Sequence, residues 1–276
     1  SIVLAAGILI SNTGALSPKV KAAENKPEAL TQEKVDKENN KYNNNENAVI
    51  EFISMSDTHV ASYESKKWAF ENIGAWSEKI GFSADTVMVD GDIEANEREE
   101  SPGNSVRFYT AVEELFEETF GQLPVQFATG NHDIQKNMEQ VFDDAGQNEY
   151  WHYRSKTGNR YNNYHLKING IDFITLDYHS AGTYNTFLKD TLQSISREED
   201  YDSSKPIFIQ IHSGLSGTTT GSYQDCGNTA AYLQKTLTEW PQAVVMTAHS
   251  HYSAEVETGI YQKNFTVVNN GSMDYV

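Results

Sequence analysis

An α/β fold, in the broad sense that includes α+β, is predicted by three features of this chain. Short runs rich in Val, Ile and Phe recur along it, segments of helical period separate them, and most runs are nearly continuous in apolar character, as in sheets covered on both faces. The chain has 276 residues, enough for one sizeable core, and its composition changes near residue 47.

The folded part opens with the apolar run Val49 to Met55, read as a strand. Trp68, Ile73, Trp76 and Ile80 mark a helix with a core-facing side. Thr86 to Val89 is the next strand, Val112, Leu115, Phe116 and Phe120 mark the next helix face, and Pro124 to Ala128 is another strand. Asn163 to Ile168 and Ile171 to Leu176 follow as strands, then a helix over Thr186 to Ser196 and a strand over Pro206 to Ile211. A helix over Ala230 to Thr238 ends before Pro241, and Ala243 to Thr247 and Phe265 to Val268 complete the strands. No internal repeat is evident.

Residues 1–22 have the form of a signal peptide: Ile2 to Ile10 is apolar and uncharged, and Val20-Lys21-Ala22 has the small-x-small shape of a cleavage site. An uncleaved anchor is the alternative, because no basic residue precedes the apolar run. Residues 23–47 are rich in Lys, Glu and Asn, with Tyr42 as their only aromatic, and read as a disordered linker. Residues 48–276 form the expected single domain. Export is expected, to a secreted or cell-surface location, and the lone Cys226, which can form no internal disulfide, suits a bacterial exoprotein.

The first 47 residues carry six Lys and six Asp or Glu, so the whole formal charge of -18 belongs to the folded part. A field of that sign repels polyanions and attracts divalent cations, so no nucleic-acid polymer is expected as partner. No segment approaches the ~20 apolar residues of a membrane span, so no stable membrane insertion is expected after leader cleavage. Oligomeric state is left open.

Five of the eight histidines, His59, His132, His212, His249 and His251, fall at the C-terminal ends of strand-like runs, where open α/β sheets build their sites. Asp57-Thr58-His59 ends the first run, and alternate residues of an extended chain face one way, so Asp57 and His59 can converge on one ion. Gly91-Asp92 ends the second; the glycine permits close backbone approach and Asp92 offers two oxygens, enough to bridge two metals. Gly130-Asn131-His132-Asp133 ends another run, with an amide oxygen as a neutral ligand and an imidazole beside a carboxylate that can orient it. His212 and His249-Ser250-His251 end two more. Taken singly, each motif has an ordinary structural reading as a capping Asp, a turn Gly-Asn or a histidine bonded to carbonyls. Five in order at five strand ends favour a metal site.

The ordered set D-x-H, G-D, G-N-H-D, H and H-x-H resembles the calcineurin-like metallophosphoesterase family, over Val49 to about Gly271. The resemblance implies a four-layer αββα sandwich of two mixed sheets flanked by helices. It implies Asp57, His59, Asp92 and His251 around one ion, Asp92 bridging to a second held by Asn131, His212 and His249, and His132 as catalytic histidine with Asp133 holding it. It implies hydrolysis of a small phosphomonoester or phosphodiester by a hydroxide bridging two divalent or trivalent ions, with Mn, Fe, Zn and Co all suited to the ligand set. Ala248 stands where the last motif usually has glycine. The chain stops where many relatives continue, so a longer protein is expected. A binding or cell-surface interaction protein with a non-catalytic version of this fold is the alternative from another class. Glu94 to Asn104, Trp151 to Tyr161 and Ser213 to Gly227 are candidate substrate loops, with Trp151, Tyr153, Tyr161, Arg154 and Arg160 as candidate contacts. His179 is expected near the pocket, and His152 and His165 outside it.

Overall fold

A computed structural model describes residues 48–94, 102–133, 151–152, 163–222, 228–254, 256 and 258–274. The leader and linker assigned to residues 1–47 lie outside the described residues, as do Cys226, Tyr153, Arg154, Arg160, Tyr161 and the side chains of Trp151 and His152.

Ten strands and four α-helices build the described part. β1 (Phe52–Met55), β2 (Thr86–Asp90), β3 (Val125–Ala128) and the two-residue β4 (Trp151–His152) form one sheet in that order, parallel throughout. β5 (Tyr164–Ile168), β6 (Ile171–Leu176), β7 (Ile207–Ile211), β8 (Ala243–Thr247), β10 (Thr266–Asn269) and β9 (Ile260–Gln262) form the other, in that order. Its inner pairings are parallel and its two edges, β5 with β6 and β9 with β10, are antiparallel. The helices are α1 (Tyr63–Ile80), α2 (Pro102–Phe120), α3 (Tyr184–Ile195) and α4 (Asn228–Leu237).

Side-chain alternation along the strands sets the layers. On β2, Val87 and Val89 join a core with Phe70 of α1 and Leu115 and Phe116 of α2, while Met88 points the opposite way. On β7, Ile207, Ile209 and Ile211 meet Leu188 and Leu192 of α3 and Leu233 of α4, while Phe208 points inward. The inward residues of both sheets, among them Phe52, Met88, Phe173, Phe208 and Met246, form a third core between the sheets. That is the expected αββα sandwich, with the mixed pairing carried by the six-stranded sheet.

α1 begins at a capping box made by Ser62 and Ser65 and ends at Gly81, whose φ of 67° is open to glycine at little cost. Trp68 does not join its buried face and is 43% exposed. Five residues separate Trp68 from Ile73, which turns it about 140° away, whereas Ala69 and Phe70 lie four and three residues before Ile73 and are buried. On α2 the expected face of Val112, Leu115, Phe116 and Phe120 is buried as read. β1 starts at Phe52, since Val49 is exposed. β4 and β9 were invisible to pattern, being two residues long in one case and an edge strand of mostly exposed residues in the other.

Candidate metal centre

The carboxyl ends of β1, β2, β3, β7 and β8 converge, and each carries part of one polar site. His251 Nε2 lies 3.0 Å from Asp57 Oδ1 and 3.5 Å from His59 Nε2. His59 Nε2 is 3.9 Å from Asp92 Oδ2. On the other side of Asp92, His212 Nε2 is 3.2 Å from the same Oδ2, from Asn131 Oδ1 and from His249 Nδ1. Asp57, His59, Asp92 and His251 thus form one cluster, and Asp92, His212 and His249 a second, each with ligand atoms within 4.8 Å of one another. Asp92 belongs to both. Asn131 joins the second through its amide oxygen.

The convergence is reached differently from the alternate-residue geometry expected of strand ends. Asp57, His59, Asp92, His249 and His251 all have positive φ, between 43° and 70°, a region that non-glycine residues enter at a cost of about 1–3 kcal/mol each. Left-handed turns, not extended backbone, fold Asp57 and His59 inward, and the same holds for His249 and His251. The turns are held by Asp57 N–H on Gly91 O and His59 N–H on Asp92 O, and by His249 N–H on Asp57 Oδ2. Ala248 has no positive φ, so the usual glycine is not needed there.

Two glycines let the β2 and β3 turns touch. A Cβ on Gly91 would sit 2.6 Å from Gly130 N and 2.7 Å from His212 Nδ1, and one on Gly130 would sit 2.1 Å from Asp92 Oδ1. The sequence motifs G-D and G-N-H-D therefore require each other.

The donor set fits a cation. His212 Nδ1 donates to the Asp90 carbonyl at 2.7 Å, which turns the other ring nitrogen toward Asp92, Asn131 and His249, groups that all offer lone pairs. Asp57 Oδ1 and Asp92 Oδ2 are buried and have only histidine ring nitrogens as ion-pair partners among the described residues. Lone pairs crowded at one point repel unless positive charge lies between them. In the metal-free protein a proton does this: burial opposes charge on His212, but Asp92 beside it raises its pKa to about 10. Burial resists ionisation of Asp92 as well, yet His212 holds it well below the usual carboxylate range. Burial and then the His212 charge lower His249 to about 4, and burial lowers His59 against the pull of Asp92 and Asp57.

His132 sits on the rim. Its backbone N–H donates to Asp92 Oδ1 at 2.8 Å, its ring lies edge-on to His59 with centroids 4.7 Å apart, and its Nε2 is 3.9 Å from Asp92 Oδ2. Asp133 does not hold that ring as expected. Its Oδ1 accepts from the backbone N–H of Ile93 and Glu94 and from Tyr109 Oη, and its Oδ2 from Gly130 N–H, so the buried carboxylate ties the β2 turn to the β3 turn instead. Unpaired N–H groups at two adjoining turns compete for that carboxylate better than a neighbouring ring does. Burial and then the nearby Asp92 raise Asp133 to about 7, against those N–H bonds.

Three residues escaped functional notice in the sequence. Asp90, at the end of β2, is buried with both carboxylate oxygens accepting no hydrogen bond among the described residues, and burial raises its pKa well above the usual range. Asp177 accepts from Thr129 N–H and His179 N–H. Ser56 donates to Asp57 Oδ2 and to the Asp90 carbonyl. An Asp closing an apolar run was the only sign of the first two, and nothing marked the serine. His179 lies near the site, as expected, with Nε2 2.7 Å from the Asp133 carbonyl; His165 pairs with Asp172 at 2.8 Å, away from it.

Comparison with known proteins gives one family. A model of the calcineurin-like phosphoesterases matches residues 50–253. No curated protein matches the chain significantly.

Proposed function

Since the chain belongs to the calcineurin-like phosphoesterases, hydrolases acting on phosphoric ester bonds, we propose that it cleaves a small phosphate ester at a dinuclear metal centre. The observation that carries this reading is the sharing of Asp92 by two clusters, each able to hold an ion. Asp57, His59, Asp92 and His251 would hold one, and Asp92, Asn131, His212 and His249 the other. Two divalent or trivalent ions held there would acidify a bound water and offset charge on the phosphoryl oxygens. Mn, Fe, Zn and Co all suit imidazole, carboxylate and amide ligands.

The protein's own residues do the rest. Buried Asp57 and Asp92 aim their carboxylates into the site, and the left-handed turns hold them without rearrangement. His132, a quarter exposed at the rim, is the proton donor to the leaving oxygen as the bond from phosphorus to that oxygen breaks and the water oxygen bonds to phosphorus. The acidic surface favours a small ester over a polyanion. We propose export as well, on the leader-like residues 1–22; processing between residues 22 and 23 in a secreting host, read by N-terminal sequencing, tests it. No helix among the described residues is long and apolar enough to cross a membrane.

The testing experiment measures metal content and hydrolysis of mono- and bis-4-nitrophenyl phosphate, before and after chelation and after each metal is restored. Two ions per chain with metal-dependent turnover support the reading, and the ester preferred separates monoesterase from diesterase. Two ions with no turnover on any ester would favour a non-catalytic binding protein. Absence of bound metal at saturating concentration would end it.

A further inference from the structure

The turn that carries Asn131 and His132 is fastened from the opposite sheet. β6 of the six-stranded sheet ends at Leu176, and Asp177 then starts a 3-10 turn over Tyr178–Thr183. At one end of the β3 turn, Thr129 N–H donates to Asp177 Oδ2 at 3.3 Å. At the other, His179 Nε2 lies 2.7 Å from the carbonyl oxygen of Asp133. A carbonyl only accepts, so Nε2 carries the proton and the tautomer is settled. The 3-10 turn itself is fixed: Asp177 N–H donates to Asn163 Oδ1 at 2.8 Å, Asn163 Nδ2 to Thr183 Oγ1 at 2.9 Å, and His179 N–H to Asp177 Oδ1 at 3.2 Å.

His132 is thereby held between two bonds of different kinds. Its own N–H rests on Asp92, which serves the metal clusters, so that bond cannot be altered without disturbing them. The bond on the following carbonyl comes from His179, which belongs to neither cluster. We propose that His179 is a positioning residue, setting through the Asp133 carbonyl where the His132 imidazole stands over the site. This rests on the reading of His132 as proton donor. A side chain used only for stability would be expected to seek burial, whereas His179 is exposed and spends its ring proton on that one carbonyl. Small displacements of a proton donor are costly to rate, since a shift of about 1 Å can cost ~10²-fold.

The test is a double-mutant cycle on the metal-loaded enzyme with 4-nitrophenyl and phenyl phosphate, or their methyl diesters if diesters are preferred. His179→Ala should lower kcat about tenfold on the phenyl ester and less on the nitrophenyl ester, whose leaving group needs little protonation, with metal content unchanged. His179→Gln, whose amide N–H can reach the same carbonyl, should restore most of the rate. Added to His132→Ala, His179→Ala should cost nothing further, because the group it positions is gone. In the metal-free protein, nitrogen-15 spectra should show His179 as the Nε2–H form. The inference is overturned if His179→Ala costs the same factor with and without His132, if it removes metal, or if Gln does not rescue. Failure of the underlying reading looks different: His132→Ala itself would then show no preference between leaving groups.

Discussion

His212 and Asp92 meet in the floor of the site with Nε2 3.2 Å from Oδ2, both side chains all but closed to solvent. In the metal-free protein that contact is an ion pair, and a metal must expel its proton to bind. The pKa of about 10 lies above neutrality, so metal binding at pH 7 should release about one proton per second-cluster ion and tighten as pH rises toward 10. Calorimetry in buffers of different ionisation enthalpy counts the protons. Asp92→Asn removes the shared carboxylate; it should cost at least one ion per chain and drop the His212 pKa, abolishing the release. Unchanged metal content in that variant would refute the shared-ligand assignment.

The two glycines give a sharper steric prediction. Gly91 has φ of 82°, and a methyl there or on Gly130 would overlap backbone atoms that have nowhere to go. Gly130→Ala should destabilise the protein by about 2–4 kcal/mol in urea unfolding and weaken both ions, because Asp92 must shift. Gly217 is the control: its φ is also positive but no atom lies within 4 Å of its would-be Cβ, so Gly217→Ala should cost only about 1 kcal/mol and leave metal binding alone.

How much of this was legible beforehand divides by physical cause. The convergence of Asp57, His59, Asp92, Asn131, His212, His249 and His251 could be read because residue types suited to holding a cation recur at strand ends. The layers could be read because side-chain alternation is local. What escaped depends on contacts between distant segments: Asp133 answers N–H groups some 40 residues earlier, and His179 answers a carbonyl 46 residues earlier. Positive φ at histidine and aspartate is also unsigned, since both residue types, though enriched there, adopt it only in a small minority of positions. Trp68 was a matter of helical phase, five residues from its supposed partner.

Phe208 tests the layer between the sheets. It is buried, stacked on Phe173 with centroids 5.3 Å apart and edge-on to Phe52 at 4.7 Å. Truncation leaves a cavity that rigid sheets on both sides cannot close. Phe208→Ala should cost about 3–5 kcal/mol of stability, a large share of a typical total. Saturating metal should recover part of that loss by mass action, whereas kcat of the folded fraction should change little. A loss under about 1 kcal/mol would mean that the sheets are not packed through this ring.

Asp133 offers a test by pH. Its carboxyl is buried, and its pKa is raised from an ordinary value of about 3.9 to about 7. Between those values the folded state binds a proton that the unfolded state has lost, so this group's contribution is full below about pH 4 and falls away as pH rises through about 7. Asparagine cannot ionise, and it also presents an amide N–H to the Gly130 N–H, so Asp133→Asn should be less stable at low pH. The gap between wild type and variant, measured by urea unfolding of metal-free protein from about pH 4 to about pH 8, should narrow steadily upward. Bound cations pull the carboxyl toward ionisation, so with metal restored the narrowing should move to lower pH. A gap that stays constant across the range would mean that the N–H groups of Ile93, Glu94 and Gly130 hold Asp133 fully ionised, and that its burial is compensated by those bonds.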